Sequence, residues 1–288
     1  MAKPGNTPAS QHTNHQGHQV QPHYLVRITA FAVVKRSSRP PLLLCCTLLL
    51  GACGQWSNAQ GVATTIAPTT TTTVVERGIS ESGQRSGPST MAAQKKLLQL
   101  GFWLHSPDGT FDDTTRQAVM AFQKYFQLRP TGGINAATAF LLEKMGLPAT
   151  ANETRKTLAE VDKTRQLLFL VQDGVTTHVL NTSTGDDREY TEPDSNTPGV
   201  MITDTAVTPV GTFRINRERP DGWWVGDLGQ IYRPKYFVGG VAIHGSLSVP
   251  AYPASHGCVR VSVAAMDMIW EQEILPRGTT VVVYGEIS

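Results

Sequence analysis

The chain has 288 residues, 40% of them hydrophobic and 17% charged, and a formal net charge of +2. That length accommodates one large or two small domains, and the composition is that of a globular protein rather than a fibrous or low-complexity one. Five bases and no acid fall in residues 1–53, leaving 20 bases against 23 acids beyond them; a mildly acidic body without a basic stripe excludes nucleic acid as a partner.

Residues 1–33 carry His12, His15, His18 and His23 without regular ligand spacing or neighbouring acids, so disorder is expected there rather than a metal site. The stretch is too long for the basic start of an export signal, and translation is expected to begin further downstream, near Val33 or Val34. The apolar run from Leu42 to Leu50 is too short to cross a bilayer, which takes about 20 residues, and suits the hydrophobic region of a secretory signal. Its ending, Leu50-Gly51-Ala52-Cys53, resembles the bacterial lipobox, which implies a cleaved signal and a lipid on Cys53. Residues 54–87, rich in Thr, Ser and Gly, read as an extended tether. An exported protein on the outer face of the cytoplasmic membrane is therefore expected, held there through Cys53. Cys45 and Cys46 leave with the signal, so Cys258 is the only thiol left unmodified in the mature chain.

Helical periodicity follows. Leu97, Leu98 and Leu100 predict a helix over 91–100 that stops at Gly101. Ala118, Val119, Phe122 and Phe126 predict a second after Asp113, and Phe140, Leu141, Leu142 and Met145 a third after Asn135. Asp108, Asp112 and Asp113 lack the spacing of a calcium loop and are expected to cap a helix. Gln94, Leu97, Leu98, Gly101 and Phe102, then "DGTFDDTTRQAVMAFQ" at 108–123, then Gly133 and Thr138, resemble a peptidoglycan-binding module of bacterial wall enzymes. "TGGIN" at 131–135 departs from that family's usual Asp-Gly turn.

From Thr157 the period switches to two. "TLAEVD", "QLLFLVQ" and "VTTHVLNTS" predict strands, with an Asp173-Gly174 hairpin turn between the last two; further strands are predicted at "GTFRIN", "GVAIHG" and "TTVVVY". One late helix is predicted over 263–275, capped by Ser262 and halted by Pro276. The acidic stretch 185–205 reads as a loop, either a solvated excursion or a lid. "DGWW" at 221–224 reads as core packing or as a groove edge. The fold class is α+β, a mainly antiparallel β domain with one late helix behind a small three-helix bundle. The expected boundaries are 1–53 for the extension and signal, 54–87 for the linker, 88–148 for the bundle and 157–286 for the β domain.

"HGSLSVPAYPASHGCVRVS" at 244–262 concentrates the chemistry. Cysteine catalysis needs a thiolate, a base and oxyanion donors. No histidine follows Cys258, which excludes a papain-like order. His105 lies in the helical segment, and His178 is expected to face solvent from mid-strand. His256 stands on the same tight turn as the cysteine, poorly placed for its ring to face the sulfur. His244 ends an apolar strand, so its ring can reach a sulfur returned by the next fourteen residues. Gly257 permits a sharp turn whose amides, 256 to 258, form a candidate oxyanion hole beside a helix start that favours thiolate. Arg260 suits a carboxylate. On residue chemistry alone a buried structural cysteine remains the alternative.

The same segment resembles the signature of the YkuD-type L,D-transpeptidases, a histidine some fourteen residues before Ser-His-Gly-Cys-Val-Arg, and "TPVGTFRI" from Thr208 and "RPKYFVGGVAIHG" from Arg233 match that family's upstream strands. The resemblance implies a β-sandwich of that type, Cys258 as nucleophile, His244 as base, the Gly245 carbonyl orienting the imidazole, and Ser255, His256 and Gly257 supporting the site. With it, Arg260, Ser255, Tyr236 and Trp224 become candidate substrate contacts. The implied reaction acylates the cysteine with the third residue of a peptidoglycan tetrapeptide stem, usually diaminopimelate, and releases D-Ala. An amine of another stem then accepts the acyl group in a 3→3 crosslink, with neither metal nor organic cofactor. A hydrolase using the same acyl-enzyme and a noncatalytic wall-binding lipoprotein are the alternatives.

Overall fold

The computed structural model describes residues 78–153 and 156–287. The expected signal, the Cys53 lipid and most of the tether lie outside the described residues. Among the described residues no helix is long and apolar enough to cross a membrane.

Three helices open the described chain: α1 (Pro88–Gln99), α2 (Asp113–Tyr125) and α3 (Ala136–Lys144). α1 begins a turn earlier than hydrophobic periodicity indicates, because Pro88 at its first position is pre-set for helix. Asp112 caps α2 by accepting from the Thr115 amide at 2.8 Å, and Asn135 caps α3 by accepting from Thr138 at 2.9 Å.

The β region consists of two five-stranded sheets and a hairpin. The first sheet has the order β3-β2-β1-β12-β6, built from β1 (Leu158–Asp162), β2 (Leu167–Gln172), β3 (Val175–Asn181), β6 (Gly211–Arg214) and β12 (Thr280–Tyr284). Its one parallel pair is β1 with β12. The second has the order β11-β10-β9-β7, with β8 also on β9; its strands are β7 (Arg217–Glu218), β8 (Trp223–Gly226), β9 (Gly229–Val238), β10 (Val241–Ser246) and β11 (Val259–Ser262). Here β10 and β11 run parallel and the remaining pairs antiparallel. Sequence periodicity misses β9 because Arg233, in the left-handed region, and Pro234 interrupt it.

The centre of the first sheet, β1 and β2, is buried on both faces, which is why β2 reads as the unbroken apolar run "LLFLV". Alternate residues divide between two cores. Leu167, Phe169 and Val171 pack with Phe102, Phe122 and Leu142 of the helical segment. Leu168 and Leu170 pack with Ile243, Val259 and Val261 of the second sheet and Met266 and Ile269 of α4 (Val263–Glu271). Bundle and sheets thus belong to one compact unit.

Two elements differ from expectation. The stretch 185–205 is not an irregular loop: β4 (Glu189–Pro193) and β5 (Met201–Thr205) pair there as a hairpin. Both are mostly exposed, and neither alternates apolar with polar residues, so no hydrophobic periodicity marks them. The late helix ends at Glu271 rather than near Leu275. Glu273 takes a left-handed conformation, and the amides of Glu273 and Ile274 return to the carbonyls of Trp270 and Ile269. That ending turns Ile274 and Leu275 into the core.

Candidate active site

Register places the key side chains. β10 pairs in parallel with β11 so that Ile243 faces Val259 and His244 faces Arg260. Ile243 and Val259 are fully buried in the core, so His244 and Arg260 point from the opposite face of the sheet. Cys258, two residues before Arg260, shares that face. A cavity of about 790 Å³ opens there, lined by Cys258, His244, Arg260, Ser255, His256 and Tyr236, together with Arg217, Arg219 and Trp224 further across the sheet.

His244 is 3% exposed. Its Nδ1 lies 2.8 Å from the Gly245 carbonyl oxygen, which can only accept, so Nδ1 carries the proton and Nε2 keeps a lone pair. Burial pushes the imidazole down to about 4, with the Arg260 charge acting in the same direction and the Gly245 contact opposing. Gly245 has no room for a side chain: a Cβ would lie 2.9 Å from the Tyr232 ring. Burial pushes the Cys258 thiol up, while a backbone contact with Ala242 and the Arg260 charge act to lower it. The resting pair is therefore a neutral imidazole and a neutral thiol.

No hydrogen bond joins the two; the Cys258 sulfur donates instead to the Gly240 carbonyl at 3.9 Å. The ladder explains the gap, since His244 faces Arg260 and Cys258 lies two residues back, about 6.6 Å along the strand. Nor does Cys258 stand at a helix start: β11 intervenes, placing the first turn of α4 about 16 Å away along the chain, beyond reach of its terminal dipole.

The turn before the sulfur is tightly built. Gly257 has φ 129 and a Cβ there would fall 2.7 Å from the Val207 carbonyl oxygen. Its amide donates to Ser255 Oγ at 3.1 Å, and that hydroxyl donates to the Cys258 carbonyl at 2.5 Å. The Gly257 amide is thus withdrawn from the expected oxyanion hole. Thr208, fully buried, accepts from the Gly185 amide at 2.9 Å and donates to the Gly257 carbonyl at 2.7 Å. Thr208 opens the stretch "TPVGTFRI", but no periodicity gives its hydroxyl this role, because a buried polar link between distant segments has no period.

The imidazole of His256 contacts the β4–β5 hairpin. Its Nε2 lies 3.0 Å from Glu192 Oε1 and its ring packs on Tyr190 at 4.6 Å. Tyr236 is buried beneath the Arg217 guanidinium, 3.8 Å from its ring centroid, and the exposed Trp224 carries Arg219 at 3.5 Å. Trp224 is therefore a cavity wall, not core. The Arg219 Nε is buried without a hydrogen-bond partner; sequence reading missed both arginines, whose signal was their proximity to "DGWW". His178 is half-buried rather than solvent-facing, its Nδ1 3.0 Å from Thr177 Oγ1, and it lies outside the cavity, as does His105. Among the described residues no cluster of His, Cys, Asp and Glu could hold a metal ion.

Two family profiles match the chain, YkuD, the L,D-transpeptidase catalytic domain, over residues 156–283 and a peptidoglycan-binding domain over residues 86–142. Among solved structures, an L,D-transpeptidase from Xylanimonas cellulosilytica is 38% identical with a TM-score of 0.63, the match covering 72% of this chain and 98% of that one. An L,D-transpeptidase from Stackebrandtia nassauensis is 20% identical with a TM-score of 0.41, covering 73% of this chain and 97% of that one. No curated protein matches.

Proposed function

Because the chain belongs to the L,D-transpeptidase family, with peptidoglycan the substrate its two matched domains imply, we propose that it forms 3→3 crosslinks through an acyl-enzyme on Cys258. The observation that carries this reading is His244: a buried, neutral imidazole, fixed by the Gly245 carbonyl, on the sheet face that also bears the thiol. As the donor enters, the Cys258 sulfur leaves Gly240 and attacks the carbonyl carbon between the third stem residue and the terminal D-Ala. His244 Nε2 takes the thiol proton. The carbonyl oxygen becomes an oxyanion facing the amides of His256 and Cys258. Collapse breaks the amide bond, the proton passes from His244 to the departing D-Ala amine, and a thioester remains. The acceptor amine attacks that thioester, gives a proton to His244, and the proton returns to the sulfur as the new amide forms.

The remaining roles divide by charge. Arg260, opposite His244 on the ladder and two residues after Cys258, holds a donor carboxylate. Tyr236 and Trp224, with the guanidiniums stacked on them, form the wall along which the stem lies. Ser255 and Gly257 shape the nucleophile turn, and His256 ties it to the hairpin through Glu192. Export and a lipid on Cys53 would hold the enzyme against the wall it acts on. The test is muropeptide analysis after incubation with a donor tetrapeptide and an amine acceptor. Crosslinked dimers with release of D-Ala, absent with Cys258→Ala, support transfer; tripeptide and D-Ala without dimers would replace transfer by hydrolysis.

A further inference from the structure

The chemistry above leaves unused a buried lysine that, unlike the buried Lys163 and Lys235, faces no carboxylate. Lys124, on α2, is 7% exposed. Its ammonium donates to the Gln166 carbonyl at 3.0 Å, the Thr182 carbonyl at 3.1 Å and Asn181 Oδ1 at 2.5 Å. Three donors meet three acceptors, and none of them is a carboxylate. Burial alone pushes the amine down to about 7. A charge without a counterion is a costly way to fill space, so what its partners do matters.

Those partners form the bed of the nucleophile loop, residues 247–257. Asn181 Nδ2 donates to the Val249 carbonyl at 3.2 Å and to Gln117 Oε1 at 2.6 Å, while Gln117 Nε2, also from α2, donates to the same Val249 carbonyl at 3.3 Å. Ser183 Oγ donates to the Tyr252 carbonyl at 2.8 Å. The amides of Ala254 and Ser255 donate to the Thr184 carbonyl at 2.9 and 3.0 Å. Thr182 Oγ1 donates to the Arg260 carbonyl at 2.7 Å, and the Arg260 amide donates to the Ser183 carbonyl at 3.0 Å. The loop has no helix or strand of its own. Its path from Val249 to Ser255 follows segment 181–184, and that segment is fastened to α2 by Lys124.

We propose that Lys124 and Gln117 are positioning residues for Cys258, which makes the helical bundle a working part of the transferase rather than only its wall-binding end. They touch neither sulfur nor stem. They fix segment 181–184, and through it the loop that carries the sulfur into the cavity it shares with His244. The inference rests on Cys258 as the acylated residue. A displacement of about 1 Å at a reacting group can cost about a hundredfold in rate, so losing this support acts on the chemical step.

The experiment measures Cys258 acylation by a donor tetrapeptide in the full chain, comparing wild type with Lys124→Met, Gln117→Met and the double variant, with thermal melts alongside. The expected result is a fall in kcat of about ten- to a hundredfold for Lys124→Met, a smaller fall for Gln117→Met, and little change in KM. The double variant should lose less than the product of the two, because both act on one loop. A folded Lys124→Met with wild-type kcat overturns the inference, as does a loss confined to KM. Should Lys124→Met fail to fold, an unchanged kcat in Gln117→Met overturns it instead. Wild type that takes no donor at all would remove the Cys258 reading and this inference with it.

Discussion

Thr208→Val removes one hydroxyl and keeps the shape of the side chain, so its cost can be worked from the structure. The hydroxyl accepts from the Gly185 amide and donates to the Gly257 carbonyl, and Thr208 is fully buried. Valine leaves an amide and a carbonyl unpaired where water cannot reach them. At about 1–3 kcal/mol for each of the two unsatisfied groups the loss is about 2–6 kcal/mol. Part of it falls on catalysis, since Gly257 precedes the sulfur directly and its backbone is already confined by the 2.7 Å a Cβ would have to Val207. Urea unfolding gives the stability term, and the rate of Cys258 acylation gives the positional one. Thr208→Ser, which keeps the hydroxyl, should recover most of both. A Thr208→Val protein within about 0.5 kcal/mol of wild type, with an unchanged acylation rate, would refute the claim that this hydroxyl holds the turn.

Deleting residues 88–144 should yield an aggregating β domain, because Leu167, Phe169 and Val171 on β2 would lose the packing of Phe102 and Phe122; each such side chain is worth about 1.5–3 kcal/mol. A soluble, cooperatively melting fragment would contradict the shared core. Gly257→Ala should abolish acylation, as it adds a Cβ at a left-handed glycine against a backbone oxygen; wild-type activity in that variant would count against the tight turn. His244 gives a pH signature. Its imidazole drops from an ordinary 6.5 to about 4 on folding, so between those values the unfolded chain binds the extra proton. Its contribution is full above pH 6.5 and is lost as pH falls toward 4, to a total of about 3 kcal/mol. His244→Gln should flatten the fall in urea stability over that window, and an unaltered slope would contradict the buried neutral ring.

Much of this was legible in the sequence where one residue's environment follows from its neighbours. The run "LLFLV" reports a strand covered on both faces, and Asp112 and Asn135 sit where helix caps belong. Counting thiols and weighing each histidine pointed to Cys258 and His244, the family resemblance gave them roles, and both line one cavity because a parallel ladder returns the chain beside β10. Their offset was not legible, since it depends on which residue of β11 faces His244. The β4–β5 hairpin escaped for want of a hydrophobic face, and the early end of α4 because Glu273 rather than glycine takes the left-handed position. Lys124 and Thr208 escaped for a common reason: their partners lie dozens of residues away, and buried polar contacts leave no periodicity.

The central claim is that Cys258 is the acylated residue with His244 as its base. Intact-mass analysis after incubation with a carbapenem tests it most directly. The account predicts one covalent adduct per chain, mapped to Cys258, absent in Cys258→Ala and formed much more slowly in His244→Gln. A folded wild-type chain that gains no mass, or an adduct that persists in Cys258→Ala, would contradict it.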